Sequence, residues 1–324
     1  MSYEISKIPI NNLEIPDTIK LPLWAQQKFI TIFAERDNLD PYYLIVSKRD
    51  KNQENHSFSS ILLLMPIFEK KKFTIRYVIQ PLEYYYTPLC FFLNSKKYEF
   101  ESQNLKLCLL KEVADYLKKH YFKVSLDIDY RVNDARAFDW KGFKCSPRYT
   151  YIKDINTYDP NDLYLRQKKY LKKAVSNNLQ ISLDWDIDIA EKLCNDLNIR
   201  KNVLHRYTMR KYLRFFNQLY EDKFCLMISV LDSNEPIAFR ILLVDINQNY
   251  LYDFIAAANE RGNNIGANVF CLNYIFTNAD KLLLTATYPF KYFDFCGANT
   301  ESIAFFKSQF DNRLQNYYRI KKSI

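Results

Sequence analysis

The residue best suited to acid–base chemistry is Asp294, which lies between Phe293 and Phe295 at the end of a predicted strand, shortly before Gly297. Burial among aromatic rings raises the pKa of a carboxyl group, because desolvation disfavours its charged form. We therefore expect Asp294 to bind or deprotonate an amine. The alternative is a structural role, in which Asp294 caps the turn that leads to Gly297. Tyr252, on the preceding predicted strand, is a second candidate for the same site.

A candidate phosphate site precedes a predicted helix, in the segment Arg261, Gly262, Asn264, Gly266 and Ala267. The N-terminus of a helix presents unpaired backbone N–H groups and a partial positive charge, which suit a phosphate. Glycine lets the backbone approach a ligand closely, and Asn tolerates left-handed backbone angles. The alternative is an ordinary strand-to-helix turn that needs small residues for packing.

A candidate anion-binding stripe consists of Arg166, Lys169 and Lys173, which are spaced to share one face of a helix predicted at 163–177. Such a stripe could contact the phosphates of tRNA or of a nucleotide-linked precursor. A second basic segment runs from Arg200 to Arg214, and neither segment contains an acidic residue. The alternative for each is a solvated helix face whose long side chains cover apolar surface.

Periodicity predicts the elements that must position these residues. In the first half of the chain we predict helices at 21–34 and 105–119, with strands at 42–47, 59–68, 73–81, 122–128 and 148–152. In the second half we predict helices at 163–177, 187–197, 205–220 and 267–279, strands at 224–231, 236–245 and 249–256, a loop at 259–266, and a closing strand–helix–strand segment at 293–318. This order favours a mixed α/β (α+β) fold in which helices cover a mainly antiparallel sheet, twice over.

A long-range repeat supports two related domains. Ala137-Phe138, followed by Phe143, recurs with the same spacing as Ala304-Phe305, followed by Phe310. A repeat of this length suggests duplicated domains rather than a solenoid. The polar segment 154–162 is a reasonable linker, which predicts domains at 1–154 and 155–324. No glycine precedes residue 142, so any glycine-containing loop that binds a phosphate is expected in the second domain.

The composition restricts the chemistry and the location. The net charge of +9 makes an anionic partner plausible. The seven cysteines are scattered without a CxxC pair, and the three histidines follow no catalytic or metal-ligand spacing. We therefore expect no disulfide framework and no metal. The N-terminus lacks a secretory pattern, and the apolar runs are too short to span a bilayer, so we expect a cytoplasmic protein.

Four segments carry a resemblance to a known family: Arg166–Ala174, Pro236–Ala238, Arg261–Ala267 and Phe293–Tyr318. They resemble the GNAT acyltransferase fold in its tandem form, which is seen in the Fem-type peptidoglycan aminoacyltransferases and their uncharacterised relatives. The resemblance implies two tandem GNAT-like domains, of which the second carries the site that binds the acyl donor.

The same resemblance implies site residues. In GNAT enzymes a loop of the form Arg/Gln-x-x-Gly-x-Gly/Ala binds the pyrophosphate of acyl-coenzyme A. Arg261 and Gly266 fit this pattern, whereas Asn264 stands where the family has its first glycine. Fem-type enzymes differ similarly here and take their acyl group from aminoacyl-tRNA. A Tyr in the final strand often donates a proton in GNAT enzymes, which implies this role for Tyr317 or for Tyr318, whose side chains face opposite sides of the strand; we select Tyr317.

The function implied is transfer of an acyl or aminoacyl group from acyl-coenzyme A or aminoacyl-tRNA to an amine. The acceptor would be a small molecule, a peptide or a cell-wall precursor. Two other classes of function stay open on the residues alone. One is a non-catalytic GNAT-fold protein that has lost the donor site, and the other is a nucleic-acid-binding protein that uses the basic segments.

Overall fold

A computed structural model describes residues 3–48, 58–93, 98–132, 134–201, 209–283, 288–310 and 312–322. His56, His205 and part of the second basic segment lie outside the described residues. The chain forms two units, one of residues 1–149 together with 316–324 and one of residues 150–315. None of the described helices is both long and apolar enough to cross a membrane.

The described residues contain strands and helices in alternation along the chain. The strands are β1 Tyr3–Pro9, β2 Asp40–Lys48, β3 Ile61–Lys72, β4 Ile75–Ile79, β5 Cys90–Phe91, β6 Lys123–Ile128, β7 Lys144–Asp154, β8 Gln180–Ser182, β9 Cys225–Asp232, β10 Glu235–Asp245, β11 Tyr250–Ala258, β12 Tyr292–Asp294 and β13 Arg313–Lys322. The helices are α1 Gln27–Asp37, α2 Glu99–His120, α3 Arg136–Trp140, α4 Leu165–Ser176, α5 Ile187–Lys201, α6 Met209–Glu221, α7 Glu260–Ile265, α8 Ala267–Thr277 and α9 Glu301–Ser308.

In the first unit the strands are neighbours in the order β1-β2-β3-β4-β6-β13. Only β4 and β6 run parallel, and the remaining pairs with a recorded register are antiparallel. The residues of β3 are buried from Ile61 to Glu69, so both faces of this strand are covered. Helix α2 buries an apolar stripe that includes Leu110, Val113 and Leu117, while rings around the fully buried Trp24 pack against α1.

In the second unit the order is β7-β12-β11-β10-β9-β8, and β11 and β12 are the parallel pair. Helix α8 is apolar around most of its surface and is accordingly buried, with Phe276 packed edge-on against Phe293. Helix α6 places Phe216 against Phe254 of β11. The sheet is therefore covered by helices, as the order of predicted elements indicated.

The structure corrects two of the predictions and shows one strand pairing that the sequence did not predict. Residues 260–265 form the short helix α7, although the sequence predicted a loop there. Phe305 is 55% exposed, and Phe306 takes the packing position against Phe310, so the repeat with Phe138 is offset by one residue. The final strand pairs with the first unit, because Tyr318–Lys322 form an antiparallel ladder with β6. The domain limits 1–154 and 155–324 remain a prediction.

A glycine sets how closely α4 approaches α8. Gly266 precedes α8 with a φ of +86°, and a Cβ atom built on it would lie 2.6 Å from the carbonyl oxygen of Tyr170 in α4. Contacts under 3.0 Å at a Cβ require the backbone to shift. Glycine at this position therefore lets the two helices pack against each other.

Replacing Gly266 with Ala should lower the free energy of unfolding by about 1–2 kcal/mol through the left-handed backbone and by about 1–3 kcal/mol more through overpacking. Gly142→Ala is the matched control, because its φ is +84° while its nearest neighbour, Lys118 Nζ, is 3.5 Å away. Chemical denaturation measures both losses. Equal losses would contradict the close approach of α4 to Gly266.

Candidate functional site

The polar groups of the second unit gather where β12 ends. The parallel ladder between β11 and β12 consists of three pairs, and the last one joins Tyr252 to Asp294. Strand β11 continues beyond this pair to Ala258. Directly after Tyr252, the ladder between β10 and β11 contains a register shift, because Leu242 is opposite Asp253 while Ile241 is opposite Ile255. Such a bulge redirects a side chain and is frequent beside functional sites.

Asp294 holds a turn of residues 294–297, which we call the Asp294 turn. Asp294 is fully buried, and its Oδ1 accepts hydrogen bonds from Thr150 Oγ1 at 2.7 Å and from the Cys296 backbone N–H at 2.8 Å. Thr150 Oγ1 in turn accepts from the Gly297 N–H at 3.0 Å. Cys296 and Gly297 both have left-handed backbones, with φ of +52° and +93°. This is the geometry of the turn-capping alternative, and the role of Asp294 as a base stays a prediction.

Lys307 of α9 also contacts the Asp294 turn. Its Nζ donates hydrogen bonds to the carbonyl oxygens of Phe295 and of Gly297, the latter at 2.6 Å. An ammonium has three N–H donors, so one remains without a partner among the described residues. Burial lowers the pKa of Lys307, and the nearby carboxylates of Asp253 and Asp294 offset part of this effect.

A buried ion pair lies beside the turn. Arg240 of β10 directs Nη1 to both carboxylate oxygens of Asp253, at 2.5 and 2.6 Å, and Nη2 lies 3.4 Å from Asn268 Oδ1 of α8. Both side chains of the ion pair are almost completely buried. Together with Lys307 and Asp294 they place two cations and two carboxylates in one region of the second unit. Removal of one partner from such a pair is costly, because it leaves an uncompensated buried charge.

The thiol next to Asp294 is not a nucleophile in this arrangement. Burial raises the pKa of Cys296 well above that of an ordinary thiol, and the Asp294 carboxylate raises it further. A thiol needs a lowered pKa to react as a thiolate. Among the described residues no group of His, Cys, Asp and Glu could hold a metal ion.

The two tyrosines predicted as catalytic residues lie in different units. Tyr252 is fully buried beside Asp294 in the sheet, and its ring stacks on that of Tyr250 at 5.7 Å. Tyr317 belongs to the first unit, where its buried ring packs edge-on against Tyr86 at 5.3 Å. The structure therefore places Tyr252 next to Asp294, and it assigns Tyr317 to the other unit.

The small residues of the predicted donor segment pack against the protein's own backbone. A Cβ on Gly262 would lie 2.5 Å from the carbonyl oxygen of Ile237, and the space in front of Gly266 is filled by Tyr170. Ala267 is fully buried in the core. The packing alternative therefore accounts for both glycines, and binding of a pyrophosphate by these three residues stays a prediction.

The remaining residues of that segment are exposed. The Nε of Arg261 lies 2.7 Å from Asp232 Oδ2, with the Arg261 side chain 57% exposed. Asn264 is exposed on α7. A part in donor binding stays a prediction for these two residues.

The predicted anion-binding stripe lies on the exposed side of α4. Arg166, Lys169 and Lys173 are all exposed, whereas Gln167 and Ala174 on the opposite side are buried. The stripe is thus open to solvent on the same helix that fills the space in front of Gly266. Both alternatives, a phosphate-binding face and a solvated face, require this exposure.

Sequence reasoning missed Lys307, Thr150 and Arg240. Nothing in their spacing joins them to Asp294, since they come from α9, β7 and β10. The one available signal was a basic residue in an otherwise apolar stretch, at Arg240 in β10 and at Lys307 near Phe305 and Phe306. A charge placed among apolar residues indicates either a buried ion pair or a functional group.

No protein-family model matches the sequence, and neither does any curated protein. Solved structures do match. FemX is similar with a TM-score of 0.60 at 12% sequence identity, over 95% of this chain and 93% of that chain. The C-terminal domain of a putative lysylphosphatidylglycerol synthetase from Agrobacterium fabrum gives 0.54 at 9% identity, over 90% and 87%. L-PGS from Bacillus licheniformis gives 0.52 at 10% identity, over 90% and 86%. At these identities the likeness concerns the fold, and it confirms the predicted fold class of GNAT-like units resembling the Fem type.

The Asp294 turn should depend on the hydroxyl of Thr150. Thr150→Val removes a donor to Asp294 and the acceptor of the Gly297 N–H, so we expect the free energy of unfolding to fall by about 2–4 kcal/mol, since each unsatisfied buried group costs about 1–3 kcal/mol. Thr150→Ser keeps the hydroxyl and should lose about 1 kcal/mol for one methyl group. Chemical denaturation separates the two variants. Equal losses would show that the hydroxyl does not hold the turn.

Proposed function

We propose that the protein is an acyltransferase that moves an acyl or aminoacyl group to an amine. The observation that carries this proposal is Lys307, a partly buried ammonium fixed by two backbone carbonyls at the end of β12 with its third N–H unengaged among the described residues. The likeness in fold to FemX and to the lysylphosphatidylglycerol synthetases supports the same class of reaction.

The reaction that suits this site is the attack of an amine on an ester. The amine nitrogen forms a bond to the carbonyl carbon of the donor, the bond from that carbon to the ester oxygen breaks, and the leaving oxygen takes up the proton that the amine loses. Negative charge develops on the carbonyl oxygen during the attack. A preorganised cation in a site of low dielectric stabilises that charge, and we assign this role to Lys307.

A lowered pKa makes the Lys307 ammonium a better proton donor as well. Its net shift is downward because burial outweighs the carboxylates of Asp253 and Asp294. A proton on Lys307 is therefore easier to transfer to the leaving oxygen than a proton on an exposed lysine. Alignment of the donor and the acceptor supplies much of the remaining acceleration.

In this proposal Asp294 is a positioning residue. It fixes the turn whose carbonyl groups, at Phe295 and Gly297, hold Lys307 in place. The role of general base is the alternative for Asp294. Direct participation of Tyr252 and Tyr317 also remains a prediction, since Tyr252 is fully buried and Tyr317 belongs to the first unit.

We further propose aminoacyl-tRNA as the donor. The packing around Gly262, Gly266 and Ala267 disfavours coenzyme A at this turn. The exposed stripe of Arg166, Lys169 and Lys173 offers cations to a polyphosphate chain instead. Acyl-coenzyme A is the alternative donor, and its phosphates would have to contact exposed side chains such as Arg261 and Asn264.

The acceptor class follows from the same resemblance. An amine on a small molecule, on a peptide or on a cell-wall precursor fits the reaction, and a cytoplasmic location would give access to each of them. A non-catalytic protein with this fold is the second candidate function, favoured by the glycine packing. A nucleic-acid-binding protein is the third, favoured by the same basic stripe.

The proposal predicts that Lys307→Met lowers the rate of transfer about 10²–10³-fold, as the loss of one stabilising donor does in other acyl transfers. Labelled aminoacyl-tRNA and labelled acetyl-coenzyme A are offered in parallel, with a lysine-containing peptide, a polyamine and a nucleotide-linked muramyl peptide as acceptors. Lys192→Met is the matched control, because the Lys192 side chain is 62% exposed on α5. Thermal unfolding verifies that both variants are folded. Absence of transfer from every donor would favour the non-catalytic candidate.

A separate prediction concerns Asp294→Asn. Asn can still accept hydrogen bonds from Cys296 and Thr150, so a positioning role predicts a rate within about tenfold of the original and an unchanged dependence on pH. A general base predicts a loss of about 10²–10⁴-fold and the disappearance of the rise in rate with pH. The rate of transfer measured over a range of pH decides between the two roles.

A further inference from the structure

The hairpin between β3 and β4 ends in an exposed cationic tip, which we call the hairpin tip and define as residues 70–77. Lys70, Lys71, Lys72 and Arg76 are all exposed there, and the sequence contains no acidic residue between the first and the last of them. The register places Lys71 directly opposite Arg76. Like charges in directly opposite positions destabilise a hairpin unless a counter-anion offsets them.

The nearest carboxylate is already engaged. Glu69 is buried, and its Oε2 binds Lys7 Nζ at 2.7 Å and the Tyr121 hydroxyl at 2.9 Å. Its other oxygen lies 3.9 Å from Arg76 Nε, at the outer limit of an ion pair. Glu69 is thus engaged by other groups, and the described residues contain no ion pair to Lys70, Lys71 or Lys72.

An aromatic residue stands at the apex of this cationic tip. Phe73 is 84% exposed and has a φ of +56°. Glycine is the usual residue at a hairpin position with this backbone, because a side chain there is strained. Phe73 therefore combines a strained backbone with an exposed ring, and backbone strain of this kind clusters at sites that bind ligands.

Further apolar surface surrounds Phe73. Ile75 is partly exposed on the strand that follows, and Phe122, immediately before β6, is 46% exposed. The Phe122 ring contacts that of Tyr77 edge-on at 6.0 Å, and its N–H donates to the carbonyl of Arg76. The hairpin tip thus combines the exposed apolar side chains of Phe73 and Ile75 with four exposed cations.

We propose that the hairpin tip docks on a lipid bilayer that contains anionic lipids. Phe73 and Ile75 enter the boundary between headgroups and acyl chains, while the four cations contact the anionic headgroups. Stacking on nucleic-acid bases fits less well, because Ile75 has no flat face and the rings of Tyr77 and Phe122 already contact each other edge-on. This proposal is independent of the proposed function and requires no membrane-spanning helix.

The test is sedimentation of the full chain with large vesicles of phosphatidylcholine alone or with about 30 mol% phosphatidylglycerol, which supplies the negative surface potential. We expect binding to the anionic vesicles, and a decrease in binding as salt is added, because salt screens the attraction. Phe73→Gly should weaken the partition about tenfold through the lost apolar side chain. Lys71→Gln and Lys72→Gln should each weaken it about fivefold.

The controls separate docking from misfolding and from nonspecific binding. Glycine suits the backbone of residue 73, so Phe73→Gly should leave the thermal midpoint of unfolding unchanged or raise it. Phe100→Ser removes another exposed ring, 60% accessible, that lies between Glu99 and Glu101, and it should not change the partition. Equal binding of the Phe73→Gly variant and the original chain would overturn the proposal, as would equal binding to both kinds of vesicle. Loss of affinity for a single-stranded oligonucleotide on Phe73→Gly, without any vesicle binding, would indicate a nucleic-acid surface instead.

Discussion

The hydrogen bond between Thr150 and Asp294 is the interaction on which the candidate site depends. It joins β7 to the end of β12 and fixes two successive left-handed residues, Cys296 and Gly297. The carbonyl groups of that turn then hold the Lys307 ammonium. A buried carboxylate is tolerated here because Thr150 and Cys296 donate hydrogen bonds to its Oδ1 and because the Lys307 ammonium lies nearby. Asp294 thus fixes the turn, and the carbonyl groups of the turn fix the position of Lys307.

Close packing decides what the donor segment can do. Glycine is present at 262 and 266 because neighbouring backbone leaves no room for a side chain, and in each case the neighbour belongs to the protein itself. A phosphate and a packed helix compete for the same space in front of α8. The structure gives that space to α4, whose opposite side carries the exposed cations Arg166, Lys169 and Lys173. The same helix therefore packs against Gly266 with one side and exposes its basic residues on the other.

Most of the periodic elements could be predicted, with boundaries that shift by a few residues. Long, largely apolar segments such as β10 and α8 carry their own signal, since near-complete burial depends on local residue type. Short elements such as β8 and α7 lack enough residues to show a period. Phe305 was misassigned for a related reason, because a shift of one residue rotates a helical side chain by about 100° out of the core.

The sequence by itself determined the fold class, the candidate turn at Asp294 and Gly297, and the exposed basic stripe of α4, because each of these depends on residue type and local spacing. Only the tertiary structure decided which strands pair and which charges meet. Tyr318–Lys322 join β6, and Lys307, Arg240 and Thr150 surround the Asp294 region, although no local pattern connects them. Long-range pairing depends on the balance of burial and hydrogen bonding over the whole chain, so no single segment of the sequence predicts it.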